Sequence, residues 1–172
     1  IETYSDGKGR VVRVDGKKVP QNNLSSGLKI IWFLPPMDRI WMETPKDRRK
    51  FLDRMVFSLD TNHAKRCAQY EKLLRDRNRL LKDRIEDSSW YLAIEKKMAI
   101  LGFEIDSCRR DFVEKLNTVL KEKNNYFPTI NLKLKDNPIE SKEIFLENLI
   151  NQRGQDLACL LYTSDAADDA SS

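Results

Sequence analysis

The sequence WYLAIEKKMAILGFEIDSCRRDFVEKLNTVLKEK, residues 90–123, carries the strongest periodicity in the chain. Its apolar side chains recur at steps of three and four, the spacing of one face of an α-helix. They are Ile94, Met98, Leu101, Ile105, Cys108, Phe112, Leu116 and Val119 or Leu120. A helix of about 34 residues would be about 50 Å long. Gly102 weakens it locally by roughly 1 kcal/mol relative to Ala and can mark a bend.

A second periodic segment precedes this one and predicts a helix from about residue 62 to residue 84. The side chains of its stripe are His63, Cys67, Tyr70, Leu74 and Leu81. Asp60-Thr61 offers a cap for it, and residues 86–89, EDSS, break the pattern and cap the next helix. Two long helices with a short connection predict an antiparallel helical hairpin. We expect it to project as an arm zipped along its apolar seam, as in a coiled coil.

A third helix start lies in the sequence TPKDRRKFLDR, residues 44–54. Thr44 suits the N-cap, a proline follows at the first helical position, and Asp47 favours the positive end of the helix dipole. Arg48 and Arg49 fall in the first turn, where that dipole disfavours cations. An anionic partner or a buried carboxylate would explain them, and the alternative is a solvated basic face.

The remaining segments have β character or turns. Residues 1–19 predict a small antiparallel unit with tight turns at Asp6-Gly7 and Asp15-Gly16. Gly7-Lys8-Gly9 lacks the GxxxxGK[ST] spacing of a phosphate loop, so we interpret it as a hairpin tip. Residues 28–34, LKIIWFL, predict a strand buried on both faces, and residues 37–42 predict one short helical turn.

After the long helix, residues 129–135 alternate apolar and polar side chains, which predicts a half-exposed strand. Residues 137–140, NPIE, have the pattern of a capping box. A helix to about residue 155 should follow, with Phe145, Leu146, Leu149 and Ile150 on its apolar side.

The predicted fold class is therefore α+β, a partial head with few β-strands and an inserted long antiparallel helical hairpin arm. We expect a β-rich partial head at 1–43, the arm at 44–124 and a return to the head, strand plus helix, at 125–157. Residues 158–172 are small, acidic and aperiodic, and we expect a non-native tail there.

Composition restricts the class of protein. Of 172 residues, 34% are charged and 40% hydrophobic, a mix that suits long exposed helices. The net charge of +4 permits nucleic-acid binding without showing it. Three distant cysteines and one histidine argue against a zinc site or a disulfide framework, so we expect reduced thiols in a cytoplasmic protein. No apolar run approaches the roughly 20 residues of a membrane span, and no self-contained catalytic signature is present.

Basic side chains are the main candidates for function, because the arginine fork donates two parallel hydrogen bonds to a phosphate. The alternative for the dense charges after residue 64 is a solvated face with pairs such as Glu71–Arg75. The candidate DNA-binding residues are Arg48, Arg49, Arg54, Arg75, Arg77, Arg79 and Lys82.

Six features together resemble the RecF family of DNA replication and repair proteins, which is related to SMC and ABC-type ATPases. They are RVDGK at 13–17, the apolar strand at 28–34 with Pro35 after it, PKDRRKFLD at 45–53, YEKLL at 70–74, RNRLLK at 77–82, and Trp90. The chain departs from the family pattern at Pro36, where an acidic residue is usual, and at Glu43, where glycine is usual. Ile31 and Trp32 stand where many ABC-type ATPases place a Q-loop glutamine.

The resemblance implies an ABC-ATPase-like head that binds ATP and Mg and dimerises on DNA. It implies a role in DNA replication, recombinational repair and the SOS response, on single-stranded or gapped DNA, loading recombinase with RecO- and RecR-like partners. The phosphate loop would precede Ile1, and the signature and Walker B segments would follow residue 155. We therefore expect this chain alone to bind no ATP and to be inactive as an ATPase, with no metal site. The alternative is a non-enzymatic helical-hairpin scaffold for protein–protein contacts.

Overall fold

A computed structural model of the chain describes residues 2–5, 7, 10–19, 35–122 and 130–169. The chain divides into two compact units, Ile1–Asn62 and His63–Ser172, which are described separately. The predicted strand at 28–34 lies outside the described residues.

The first unit begins with a three-stranded antiparallel sheet in the order β1-β2-β3. Its strands are β1 (Glu2–Ser5), β2 (Arg10–Val14) and β3 (Lys17–Val19). Val14 pairs with Lys17, so Asp15 and Gly16 form a two-residue turn, with φ of 50° and 76°. Positive φ at both positions is the requirement of the type I′ hairpin turn. The predicted β unit and this turn are confirmed, and Gly7 lies in the β1–β2 connection as expected of a hairpin tip.

A 3₁₀ helix (Pro35–Met42) follows, and then α1 (Pro45–Leu59). The predicted cap is confirmed, because the Asp47 N–H donates to Thr44 Oγ1 at 3.3 Å and proline occupies the first position. The short helical turn predicted at 37–42 is part of the 3₁₀ helix.

The second unit contains four helices in its described residues: α2 (His63–Lys82), α3 (Ser88–Glu122), α4 (Lys142–Asn151) and α5 (Arg153–Asp169). The predicted bounds of the two long helices are confirmed to within two residues. They pack antiparallel, since Arg66 near the start of α2 contacts Cys108 of α3, and Leu80 near its end contacts Tyr91. Projection of this pair as an arm from a head stays a prediction, as do the domain boundaries.

The core of this unit lies where α4 packs on the two long helices. Met98, Ala99 and Leu149 are buried at its centre. Tyr70, Leu73, Ile94, Phe145 and Leu146 pack around them. The apolar side predicted for the helix that the structure shows as α4 is therefore confirmed at Phe145, Leu146 and Leu149.

Gly102 has a packing role, and the bend that its helix propensity suggested stays a prediction. The helix α3 continues through it, and a β-carbon at this position would overlap the Phe145 ring. The glycine is therefore where α4 approaches α3 closely, and its missing side chain leaves room for that ring.

The strand predicted at 129–135 is wrong for its described part, since residues 130–134 belong to no strand. The backbone of Leu132 instead forms two hydrogen bonds with the side chain of Asn117 on α3. Its N–H donates to Oδ1 at 2.9 Å, and its C=O accepts from Nδ2 at 2.8 Å. Leu132 and Leu134 are half-buried while the polar residues between and beside them are exposed, as the alternation predicted. The inward face was predicted correctly at Leu132 and Leu134 but not at Ile130, which is 51% exposed, and the backbone pairs with a helix side chain.

The capping box predicted at 137–140 is also wrong. The cap of α4 is Ser141, whose Oγ accepts from the Ile144 N–H at 3.2 Å. The preceding backbone is held elsewhere, because the Ile139 N–H donates to Asp106 of α3 at 3.1 Å. Among the described helices, none has both the length and the apolar character needed to cross a membrane.

Candidate nucleic-acid interface

Four basic side chains share one exposed face of α2, and we call them the α2 basic face: Lys72, Arg75, Arg79 and Lys82. Their spacing of three, four and three residues places them on the same side of the helix. At about 1.5 Å per residue they extend over about 15 Å of helix length. Three of the predicted DNA-binding residues are therefore brought together on one surface.

Asp83 restrains the basic face only weakly. Arg79 Nε lies 3.7 Å from Asp83 Oδ2, with the two side chains 84% and 56% exposed. An exposed pair of this kind stabilises a helix by a few tenths of a kcal/mol. A phosphate group can therefore replace Asp83 as the partner of Arg79 with little loss of free energy.

Arg77 requires a correction, because it lies on the opposite, buried side of α2. Its residue is 1% exposed and its guanidinium donates to three groups. The acceptors are Glu95 Oε1 at 2.9 Å, Asp156 Oδ2 at 2.7 Å and the Leu149 carbonyl at 2.7 Å. A DNA phosphate cannot reach a guanidinium enclosed in this way.

The helical period does contain a sign of this burial. Arg77 follows Tyr70 by seven residues and precedes Leu81 by four, so it continues the stripe on which both lie. Leu74, which was expected on that stripe, is 36% exposed. Leu74 was predicted to be buried because it is apolar, and Arg77 was predicted to be exposed because it is charged.

Arg77 belongs to a buried ion-pair cluster, which we define as Arg77, Glu95, Arg153 and Asp156. Glu95 is fully buried on α3 and accepts from both arginines, including Arg153 Nε at 2.9 Å. The Arg153 guanidinium also lies 4.7 Å from the centre of the Tyr91 ring, a cation–π geometry. The cluster joins α2, α3 and α5.

The electrostatics of Glu95 follow from these partners. Burial alone would raise its pKa, but the hydrogen bonds and charges of Arg153 and Arg77 outweigh burial and hold the pKa below its ordinary value. The hydrogen bonds that Arg153 donates to Glu95 also raise the pKa of Arg153 against the opposing effect of burial. Glu95 is therefore an anion in the folded protein at neutral pH.

The three predicted arginines of α1 lie in the first unit and have different surroundings. Arg48 Nη1 donates to the Glu43 carbonyl at 2.7 Å and to the Trp41 carbonyl at 3.2 Å. Arg49 is exposed, and Arg54 is half-buried with Nη1 3.7 Å from Met37 Sδ. The partners of Arg48 are thus backbone carbonyls at and just after the end of the 3₁₀ helix. The sequence had suggested a phosphate or a carboxylate as its partner.

The segment that carries Gly7 is a hairpin connection. Gly7 lies between two antiparallel strands, whereas a phosphate loop connects a strand to a helix. No GxxxxGK[ST] sequence occurs in the 172 residues. The interpretation as a hairpin tip is therefore confirmed, and the expected lack of ATP binding stays a prediction.

Comparison with known proteins gives a consistent set of relatives, although no family model matches the chain. The DNA replication and repair protein RecF of Brucella suis is 36% identical over 145 residues, covering 84% of this chain and 35% of that protein. RecF of Rickettsia felis is 34% identical over 83% of the chain, and RecF of Agrobacterium fabrum 35% identical over 91%. These matches cover 39% and 42% of the two relatives, so the chain spans about two fifths of their length.

Two solved structures of the recombination mediator protein RecF in the RecFOR pathway have the same fold. One, described as RecF-ATPrS, has a TM-score of 0.75 at 24% identity, and the other, RecF-ATP, has 0.68 at 27%. Each match covers 91% of this chain and 46% of the solved one. On its sequence and its fold together, this chain matches a fragment of RecF.

Proposed function

We propose that this chain serves a RecF-like protein in DNA replication and repair, and that it binds DNA phosphates through the α2 basic face. The observation that carries the proposal is the grouping of Lys72, Arg75, Arg79 and Lys82 on one exposed side of a helix whose opposite side is buried. Contacts of this kind supply affinity without sequence preference.

The wider activity follows from the family and belongs to the whole protein. We propose single-stranded or gapped DNA as the substrate, RecO- and RecR-like proteins as partners, and an ATP-dependent homodimer that uses Mg. The two solved relatives are described as RecF with ATP or an analogue in the RecFOR pathway, which supports this proposal. ATP binding by this chain alone is not expected and can be measured by isothermal titration.

The test measures DNA affinity against salt concentration for the chain and for the double variant Arg75→Ala/Arg79→Ala. Removing one phosphate-binding side chain should reduce the slope of log K against log salt by about 0.9 for duplex and about 0.7 for single strands. The double variant should therefore flatten the slope by about 1.8 or about 1.4. Its affinity should fall similarly for all DNA sequences.

The matched control is Lys115→Ala/Lys121→Ala, which removes the same charge from exposed positions near the far end of α3. It should leave the slope unchanged. Arg48→Ala should also leave it unchanged if its guanidinium serves only the carbonyls it contacts. An unaltered slope in the Arg75/Arg79 variant would refute the proposal.

A scaffold function is the second candidate, and one observation favours it. Ile100 and Phe103 on α3 line a cavity of about 330 Å³ beside the start of α4, and both are partly exposed. Apolar side chains in an open groove are typical of protein–protein contacts. Absence of salt-sensitive DNA binding by the chain, together with partner binding that Phe103→Ser abolishes, would support this function over the first.

A further inference from the structure

The turn between α2 and α3 presents a large aromatic ring to water. Trp90, in the first turn of α3, is 62% exposed. Ile85 in the connection is also exposed. The α2 basic face ends at Lys82, on the other side of the same short connection.

The backbone that carries this ring is held firmly by its neighbours. The Tyr91 hydroxyl donates to the Leu80 carbonyl at 2.8 Å, and Arg153 stacks on the Tyr91 ring. The connection is also tied to α2, because the Ile85 N–H donates to the Leu80 carbonyl at 3.2 Å. The position of Trp90 beside the end of α2 is therefore preorganised, and a ligand would not have to order it.

Basic side chains precede and follow the ring along the chain. Lys82 precedes it at the end of α2, and the exposed Lys97 follows it by seven residues on the same side of α3, about 10.5 Å along the axis. The negative charge of Asp87 would repel an anion from the start of α3. Its carboxylate accepts from the Ser89 N–H at 2.8 Å, and hydrogen bonds from Ser89 hold its pKa below the ordinary value.

Resting on the proposed function, we infer that the Trp90 ring is a stacking platform for a base of single-stranded DNA whose phosphates lie against Lys82 and Lys97. Exposed aromatic rings between basic side chains bind single strands in this way, because every base has a π-face. In a duplex both faces of each base are already stacked. The ring should therefore add affinity for single strands and not for duplex DNA.

The experiment compares two DNA probes at one salt concentration by fluorescence anisotropy. The probes are an oligothymidylate of about 15 nucleotides, within the usual site size, and a duplex of similar length. Trp90→Ala should weaken binding of the oligothymidylate by roughly 5- to 100-fold, the range expected for one stacked base. Binding of the duplex should change less than about twofold, and Trp90→Phe should retain part of the single-strand affinity.

Trp41→Ala is the matched control, since Trp41 is 70% exposed in the other unit and should not affect either probe. An equal loss for both probes in Trp90→Ala, or no loss for the oligothymidylate in either Trp90 variant, would overturn the inference. Failure of the proposed function looks different, because then the Arg75→Ala/Arg79→Ala variant would bind both probes as the parent chain does.

Discussion

Arg77→Met tests whether the buried ion-pair cluster stabilises the helical unit. The substitution keeps most of the side-chain volume but removes three hydrogen bonds, to Glu95, to Asp156 and to the Leu149 carbonyl. Breaking a buried ion pair by removing one member typically lowers stability by about 3–5 kcal/mol.

The surroundings place the expected loss near the lower end of that range. Glu95 keeps Arg153 as a partner, and the side chain of Asp156 is 39% exposed, so water can replace part of the bond that Arg77 made to it. The Leu149 carbonyl loses the charged donor that Arg77 supplied. We expect the free energy of unfolding to fall by about 3 kcal/mol.

Urea unfolding followed by circular dichroism measures this quantity. With an m-value of about 1–3 kcal/mol/M, the midpoint should fall by about 1–3 M. Arg79→Met is the matched control two residues away on the exposed side, and it should change stability by less than about 0.5 kcal/mol. DNA binding should show the opposite pattern. Arg79→Met should weaken it, and Arg77→Met should leave it unaltered as long as the variant is folded. If the free energy of unfolding falls by less than about 1 kcal/mol in Arg77→Met, the hydrogen bonds of Arg77 only offset the free energy needed to bury its charge, and the cluster does not stabilise the unit.

Two further predictions concern α3. Because the folded pKa of Glu95 is lowered, its contribution to stability should be complete above the unfolded pKa of about 4.3 and should be lost as pH falls through the folded value. Glu95→Gln should remove this part of the acid dependence in urea unfolding from pH 7 to pH 2, and an unchanged pH profile would contradict the assignment. Gly102→Ala should destabilise by up to about 2 kcal/mol, since overlap with the Phe145 ring destabilises by about 1–3 kcal/mol and helix propensity returns roughly 1 kcal/mol of this. In a Phe145→Ala background, thermal unfolding should show the same substitution to be neutral or stabilising.

Local chemistry made the helices predictable from the sequence. Thr44 has the side chain that an N-cap requires, and the apolar residues of α3 recur with the helical period over its whole length. Asp15 and Gly16 tolerate the positive φ that a two-residue hairpin turn demands. Each of these features depends on residues that are near one another in the chain.

The corrected assignments depend on residues that are distant in the chain. The burial of Arg77 requires Glu95, 18 residues away, and Asp156, 79 residues away, and no local pattern names such partners. Alternation at 130–135 indicates that Leu132 and Leu134 face inward but does not supply a second strand, and Asn117 takes that place. The chemistry of a cap suits both Asn137 and Ser141, so the choice between them was made by tertiary contacts.

Apolar contacts along the seam between α2 and α3 have no preferred direction, so packing alone specifies the alignment of the two helices less strictly than hydrogen bonds do. Arg77 meets Glu95 and the Leu149 carbonyl only at one alignment of three helices. Together with the hydrogen bond from the Tyr91 hydroxyl to the Leu80 carbonyl, its guanidinium thereby disfavours a shift in the register of the bundle.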